Sequence, residues 1–285
     1  MRFEKMHGLG NDFLVVDDRE RHAVDWPSLA RRVCERHTGV GADGVLLIQT
    51  SDRADLRMRL FNADGSEAEM CGNGIRCVAE FVGVHGISGD HAVWETGAGI
   101  IITERLGDDM VTVDMGLPRF APHEIPVLAD GLTEVVDQPL EVGGTTLRMT
   151  CVSMGNPHCA VVVDDVEGFP LAEIGPLVER HPRFPQRTNL EIVQVMSRTR
   201  VRQRTFERGV GETNACGTGA AAVGVAMQRL GLSDSPVTVE LRGGHLHIAW
   251  APGEPVRMTG PALRVYTGHL MLQASEAQAA ARGAR

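Results

Sequence analysis

Met70-Cys71-Gly72-Asn73-Gly74 and Ala215-Cys216-Gly217-Thr218-Gly219 are the two stretches that decide how this chain is built. Each runs into an apolar, Ala/Val-rich segment that reads as a helix. The likeness extends outward at a constant offset of 145 residues, without gaps. Gly10-Asn11 falls on Gly155-Asn156, and Gln49 on Gln194. Arg57, Arg59 and Phe61 fall on Arg202, Arg204 and Phe206, and Glu67 on Glu212. Cys71, Gly72, Gly74 and Val78 fall on Cys216, Gly217, Gly219 and Val223. A fixed spacing that lands on chemically special residues marks a duplicated domain. The expected division is residues 1–117 for the first repeat and 118–261 for the second. A segment at about 262–275 is expected to pack on the first repeat, followed by a frayed tail at 276–285.

Local patterns fill in both repeats. Residues 3–17 read as a strand broken by a loop at 7–11, and 26–36 as a helix with Pro27 in its first turn. Its counterpart lies at 171–180. The apolar run 45–49 suits a buried strand, and 56–60 alternates with the period of a half-buried one. A loop at 62–70 leads to Cys71 and a helix at 74–84. Strand patterns follow at 92–96, 100–104 and 110–115. The second half repeats the order with strands at 190–195, 201–206, 237–241 and 245–250. Residues 116–144 carry Pro118, Pro122, Pro126, Pro139 and paired glycines. They form the natural crossover, with a possible strand at 124–128. Gly39-Val40-Gly41-Ala42-Asp43-Gly44 fits G-x-G-x-x-G. A dinucleotide site needs a strand before that motif and a helix after it. Here the order is reversed, which excludes the dinucleotide reading.

Composition narrows the function. A net charge of −9, with no basic run, argues against nucleic acid and anionic membranes as partners. No apolar segment reaches the ~20 residues of a membrane span, and residues 1–10 lack the apolar core of a signal peptide. The expected location is cytoplasmic. Cysteines 34, 77, 151 and 159 have apolar neighbours and read as small core residues in a reducing compartment. Lys5 is the only lysine. A pyridoxal enzyme needs a Schiff-base lysine, and Lys5 lies beside no phosphate-cradling loop. Any amino-acid racemase chemistry here is therefore expected to be cofactor-free. His245 and His247 alternate on a strand with no third ligand nearby, so no metal site is expected.

A helix start leaves N–H groups unpaired and carries roughly half a positive charge. A cysteine there is stabilised as thiolate. The same N–H groups can hold a carboxylate, and glycine lets it approach. Two such starts working on one substrate would place one sulfur on each face of its α-carbon. One thiolate removes the α-proton, and the opposite thiol returns a proton to the other face. The two sulfurs must hold unlike protonation states and titrate as a pair.

Several motifs together resemble the diaminopimelate epimerase family. They are Gly8-Leu9-Gly10-Asn11-Asp12-Phe13, Asn62-x-Asp64-Gly65-Ser66, Cys71-Gly72-Asn73-Gly74-x-Arg76 and Gly155-Asn156-Pro157-His158. Thr188-Asn189-Leu190-Glu191, Glu207-Arg208-Gly209-x-Gly211-Glu212-Thr213 and Ala215-Cys216-Gly217-Thr218-Gly219 continue the pattern. The resemblance runs from Met1 to about residue 270. It implies an α/β (α+β) fold of two pseudo-symmetric domains. Each would be a barrel-like mixed sheet around a central helix, with substrate in a cleft and a homodimer as the assembly. It implies a cofactor-independent isomerase that interconverts LL- and meso-2,6-diaminopimelate, a precursor of lysine and peptidoglycan.

By the same resemblance, Cys71 and Cys216 are the acid/base pair. Gly72, Asn73, Gly217 and Thr218 hold the reacting α-carboxylate through backbone N–H groups. Asn11, Asn62, Asn156, Asn189, Glu207 and Arg208 bind the amino and carboxylate groups. Arg208 suits a distal carboxylate and Glu207 an ammonium. His158 and Glu207 tune the thiols. Two positions depart from the family pattern. Gly44 stands where many members have Gln, removing a side-chain contact, and Asn214 stands where an apolar residue is usual, with packing behind the thiol in question. Proline racemase-like enzymes also use two cysteines but resemble one another in having His where this chain has Asn73. Phenazine-biosynthesis isomerase-like proteins lack the thiol pair. A thiol redox sensor joining Cys71 to Cys216 would need no Asn/Glu/Arg constellation.

Overall fold

Strand follows strand with short turns from the first residues of the chain, and a helix intervenes wherever two neighbouring strands run parallel. The computed structural model describes residues 1–272. The expected tail at 276–285 lies outside the described residues. Two units divide the chain, Met1–Val113 with the described part of Gly260–Arg285, and Asp114–Thr259.

The first unit begins with β1 (Arg2–Gly8) and β2 (Asn11–Asp17), an antiparallel hairpin. Its two-residue turn, Leu9-Gly10, has positive φ at both positions, 56° and 83°, the geometry that matches the twist of paired strands. Helix α1 (Trp26–Val33) then carries the chain to β3 (Gly44–Gln49), which lies parallel to β2. β4 (Leu56–Asn62) returns antiparallel to β3, and the two-residue β5 (Glu67–Ala68) folds back onto β4. Helix α2 (Gly72–Val84) crosses to β6 (His91–Thr96), parallel to β4. β7 (Gly99–Gly107) and β8 (Met110–Asp114) finish the run as a meander.

The second unit opens with the hairpin β9 (Gln138–Val142) and β10 (Thr145–Ser153). It continues with β11 (Pro157–Val162), α3 (Leu171–Glu179), β12 (Asn189–Ser197), β13 (Arg200–Glu207) and β14 (Gly211–Thr213). Helix α4 (Gly217–Arg229), β15 (Val237–Leu241), β16 (Gly244–Ala249) and β17 (Arg257–Pro261) complete it. The pairings from β10 to β16 repeat those from β1 to β7, including the parallel steps β11–β12 and β13–β15. Phe13↔Gly44 in one unit becomes His158↔Asn189 in the other, the same register at the same offset. The final strand, β18 (Leu263–His269), pairs antiparallel with β1 of the first unit, as β9 pairs with β10 in the second.

Each unit centres on one helix. Ten of the thirteen residues of α2 are buried, among them Ile75, Val78, Phe81 and Val82. A helix apolar on nearly every side belongs in a core. Each such side chain contributes about 1.5–3 kcal/mol on burial. α4 buries nine of thirteen but with smaller residues, Ala220, Ala221, Ala222, Val223, Val225 and Ala226 among them. Its sheet comes closer: a Cβ on Gly224 would lie 2.5 Å from Ile248 Cγ2. Cys34, Cys77, Cys151 and Cys159 are buried thiols of these cores.

Some local expectations are corrected. α1 ends at Val33 instead of 36, because the Val40 and Gly41 N–H groups take the Val33 carbonyl and Glu35 caps the turn at His37 and Thr38. Residues 124–126 lie in a turn and 127–128 have no regular structure, so no strand forms there: the Val127 N–H bonds the Pro122 carbonyl, while Ile125 and Val127 still reach the core. The loop expected at 7–11 shrinks to Leu9-Gly10. Strands β5, β9, β10, β11, β14 and β17 have no counterpart among the expected strands, and β18 lies within the segment at about 262–275 that was expected to pack on the first repeat.

Candidate active site

Cys71 is the N-cap of α2, extended at φ −144°, and its sulfur accepts the Gly74 N–H at 3.5 Å. Bidentate pairing of Arg59 with Glu67 (2.7 and 2.9 Å) pins β5 to β4 and so fixes the approach to that cap. Around the sulfur lies an amide relay. Asn11, the first residue of β2, presents Oδ1 to the Cys71 thiol at 3.5 Å and to Asn73 Nδ2 at 3.3 Å. Asn11 Nδ2 donates to Asp43 at 2.7 Å, which fixes the orientation of the amide. Asn73 Oδ1 in turn accepts Arg76 Nη2 at 2.9 Å. Asn62, at the end of β4, donates to Ser66 Oγ at 3.0 Å within the Asp64-Gly65 turn.

Cys216 repeats the cap on α4 at φ −129°, with the Gly219 N–H on its sulfur at 3.4 Å and Thr218 Oγ1 at 3.5 Å. Arg204 grips Glu212 as Arg59 grips Glu67, at 2.8 and 3.1 Å. The surroundings differ, because this thiol is buried among acidic groups. Burial pushes the Cys216 thiol up, the Glu207 and Glu191 carboxylates push it further, and the Thr218 and Gly219 contacts pull it back. Burial also raises Glu207 above the ordinary carboxylate range; the Thr213 hydroxyl counteracts this, Glu191 adds to it, and His158 and the Cys216 thiol oppose it.

His158 is fully buried. Nδ1 meets Glu191 Oε1 at 2.8 Å and Nε2 meets Asn156 Oδ1 at 3.0 Å. Asn156 Nδ2 donates to Thr218 Oγ1 at 3.3 Å, so its Oδ1 is the atom turned to the ring. The second oxygen of Glu191 is buried without a hydrogen-bond partner. Asn189 is buried, giving Nδ2 to the Pro157 carbonyl at 2.7 Å and taking the Arg208 N–H at 2.9 Å. It therefore anchors the loop that carries Arg208, whose exposed guanidinium donates to the Gln186 carbonyl at 3.1 Å.

The first unit thus gathers Cys71, Gly72, Asn73 and Asn11. The second gathers Cys216, Gly217, Thr218, Asn156, His158, Asn189, Glu207 and Arg208. Four further residues belong beside them: Glu191, Thr213, Asp43 and Arg76. Glu191 carries a usable sequence signal, a carboxylate between Leu190 and Ile192, two residues after Asn189 and hence on the same face of the strand. Gly44 leaves no room for a side chain, since a Cβ there would lie 2.7 Å from the Phe61 carbonyl oxygen. Asn214 is exposed, so its side chain does not pack behind the thiol. Lys5 is committed to an ion pair with Asp12 at 2.6 Å. No cluster of three or more metal-ligating side chains exists among the described residues, and no described helix is long and apolar enough to cross a membrane.

The family model for diaminopimelate epimerase matches residues 3–121 and 150–265. A diaminopimelate epimerase of Moorella thermoacetica is 52% identical over 279 residues, covering 95% of this chain and 100% of that one. One of Aromatoleum aromaticum is 50% identical over 275 residues, covering 95% and 98%. Among solved structures, a PhzF-family phenazine biosynthesis protein of Bacillus anthracis superposes with a TM-score of 0.68 at 17% identity, covering 95% and 99% of the two chains. A hydroxyproline epimerase of Agrobacterium vitis with bound trans-4-hydroxy-L-proline gives 0.61 at 17% identity, covering 94% and 90%. The structural likenesses establish the shared fold, and the sequence relatives go further: this chain belongs to the diaminopimelate epimerase family.

Proposed function

We propose that the chain interconverts LL- and meso-2,6-diaminopimelate by a two-thiol proton exchange. One observation carries the mechanism: Cys71 and Cys216 cap equivalent helices, and each sulfur takes a backbone N–H from the glycine three residues on. Either sulfur, as thiolate, removes the α-proton, and the electron pair left on carbon spreads into the α-carboxylate. The N–H groups at Gly72-Asn73 and Gly217-Thr218 stabilise that charge. The other thiol then protonates the opposite face. Each turnover leaves the two sulfurs with exchanged protonation states, and the reverse reaction restores them.

Glu207 and His158 set the charge around Cys216. Asn11, Asn62, Asn156, Asn189, Glu207 and Arg208 select a substrate with an amino-acid group at both ends, because a ligand lacking one end leaves polar groups unpaired. The proposal uses no cofactor. The product feeds lysine and peptidoglycan synthesis in the cytoplasm. A homodimer is proposed through β18, whose Leu263, Val265 and Tyr266 are 38%, 57% and 47% exposed on a strand paired only with β1 among the described residues. Apolar residues on an open strand edge favour pairing with a second copy.

The test is incubation with LL-diaminopimelate in deuterium oxide. The meso product should form with deuterium at the inverted carbon. Inversion without solvent deuterium, or no inversion at all, would remove the two-thiol mechanism.

A further inference from the structure

Arg76 is the largest charged side chain wholly withdrawn from water, at 0% exposure. It sits on α2, and a helical side chain of its length points back towards the start of its helix. Its three hydrogen bonds all end on uncharged oxygens: the Gly72 carbonyl at 3.1 Å, Asn73 Oδ1 at 2.9 Å and the Pro261 carbonyl at 3.1 Å. The guanidinium therefore grips both residues that follow Cys71. It packs so closely under the β1–β2 hairpin that a Cβ on Gly8 would lie 2.8 Å from Nη2.

Arginine stays protonated even when buried. A buried cation without a countercharge is costly, so a chain that keeps one has a use for its field. Of the acidic groups on the neighbouring elements, Glu4 lies at the far end of α2 against its C-cap His85, Asp17 pairs with Arg19 and Glu104 with His91. Asp12 pairs with Lys5 and Arg36, Asp43 with Arg36, and Glu80 with Arg105. His7 Nδ1 accepts the Gly10 N–H. What remains beside Arg76 is a pair of thiols, Cys71 and Cys77. Burial pushes Cys77 up to about 12, with Arg76 only partly offsetting that, so it stays neutral. At the equivalent position in the second unit stands Ala221, fully buried on α4. There the charges near the sulfur are carboxylates.

We infer that Arg76 is a positioning residue whose buried, otherwise unneutralised guanidinium makes Cys71 the resting thiolate of the pair, and Cys216 the resting thiol. It acts in two ways. Its field favours the negative sulfur. Its bond to Asn73 Oδ1 also turns the Asn73 amide so that Nδ2 donates to Asn11 Oδ1, the oxygen that accepts from the Cys71 thiol, and so weakens that oxygen's hold on the thiol proton. The inference rests on the two-thiol reading and assigns the unlike states which that reading requires.

The test is alkylation by iodoacetamide from pH 5 to 10, with peptide mass spectrometry following each cysteine in the intact protein. In the unsubstituted chain, Cys71 should react with a lower pH midpoint than Cys216. Arg76→Met should raise the Cys71 midpoint by about one unit or more and leave Cys216 in place, while Arg76→Lys should recover most of the difference. An unmoved Cys71 midpoint in folded Arg76→Met overturns the inference. So does a lower midpoint for Cys216 than for Cys71 in the unsubstituted chain, a comparison that stands even if Arg76→Met fails to fold. Alkylation needs no substrate. The expected midpoints together with absent epimerisation would sink the function and leave the role of Arg76 standing.

Discussion

The helix start at Cys71 and the one at Cys216 share backbone, register and cap, yet their side chains are unlike. Beside Cys216 lie His158, Glu191, Gln203, Thr205 and Glu207; the same positions in the first unit are Phe13, Leu46, Met58, Leu60 and Asn62. The closest approach shows the exchange directly. A Cβ on Gly219 would meet Glu191 Oε1 at 2.8 Å, and one on Gly74 would meet Leu46 Cδ2 at 3.1 Å. One sulfur is framed by the buried Glu191 and half-buried Glu207 carboxylates, the other by the Asn11 and Asn73 amides, with Leu46 beside the cap and a cation behind. Duplication supplied two equal scaffolds, and divergence of the buried residues made them unequal. Acid and base roles are assigned when environments drive two titrating groups apart.

The sharpest break in the comparison is removal of a sulfur. Cys71→Ser or Cys216→Ser should lower turnover by about 10²–10⁴ with circular dichroism unchanged; near-normal epimerisation in either variant defeats the two-base assignment. Glu207→Gln comes next. It takes away the carboxylate that accepts from Cys216 and should cost about 10–100-fold in kcat, while the equivalent Asn62→Ala should act mainly on KM. Equal kinetic signatures would mean that the units have not diverged in role.

Asn156→Ala should destabilise the protein more than Asn11→Ala, by about 1–3 kcal/mol in denaturant unfolding, because it strips a partner from buried His158. Packing gives a comparable contrast. Gly224→Ala should cost about 1–3 kcal/mol by overpacking against Ile248, whereas its equivalent is already Ala79 and Ala79→Gly should cost about 1 kcal/mol. The smallest effect is a pH trend. A raised Glu207 pKa means its contribution to stability is full below the ordinary carboxylate range and is lost as pH rises through the raised value. The Tm of Glu207→Gln, relative to the parent, should therefore climb from pH 4 to pH 8; a flat difference would show that Glu207 is not held above its ordinary range.

The duplication was legible because a gapless offset survives in residues that geometry constrains, and the two caps stood out as cysteine followed by glycine. The paired helices and the parallel strands at 44–49 and 189–194 follow from the same pattern. Strands β5 and β14 escaped because two or three residues show no period; the Arg59–Glu67 and Arg204–Glu212 grips hold them, and those are tertiary. β9 was hidden among the prolines of the crossover, since Pro139 lies on an outer strand where a missing N–H is tolerated. The crossover misled at 124–128, where burial of Ile125 and Val127 comes from a turn and the irregular residues after it. Arg76 was visible only as a motif letter: sequence does not tell a buried arginine from an exposed one, and its environment decides its chemistry.

The pairing of β18 with β1 has a consequence for how the protein is made. The second unit obtains its flanking strand from the residues just before it, through a tight hairpin. The first must wait: its counterpart strand leaves the ribosome only after the whole of the second unit, and Met1 and Leu270 close the seam with mutual backbone bonds of 3.0 and 2.8 Å. Such a distant closure is slow and leaves β1 unguarded during synthesis. Loss of the last strand should therefore injure the half of the molecule that was translated first.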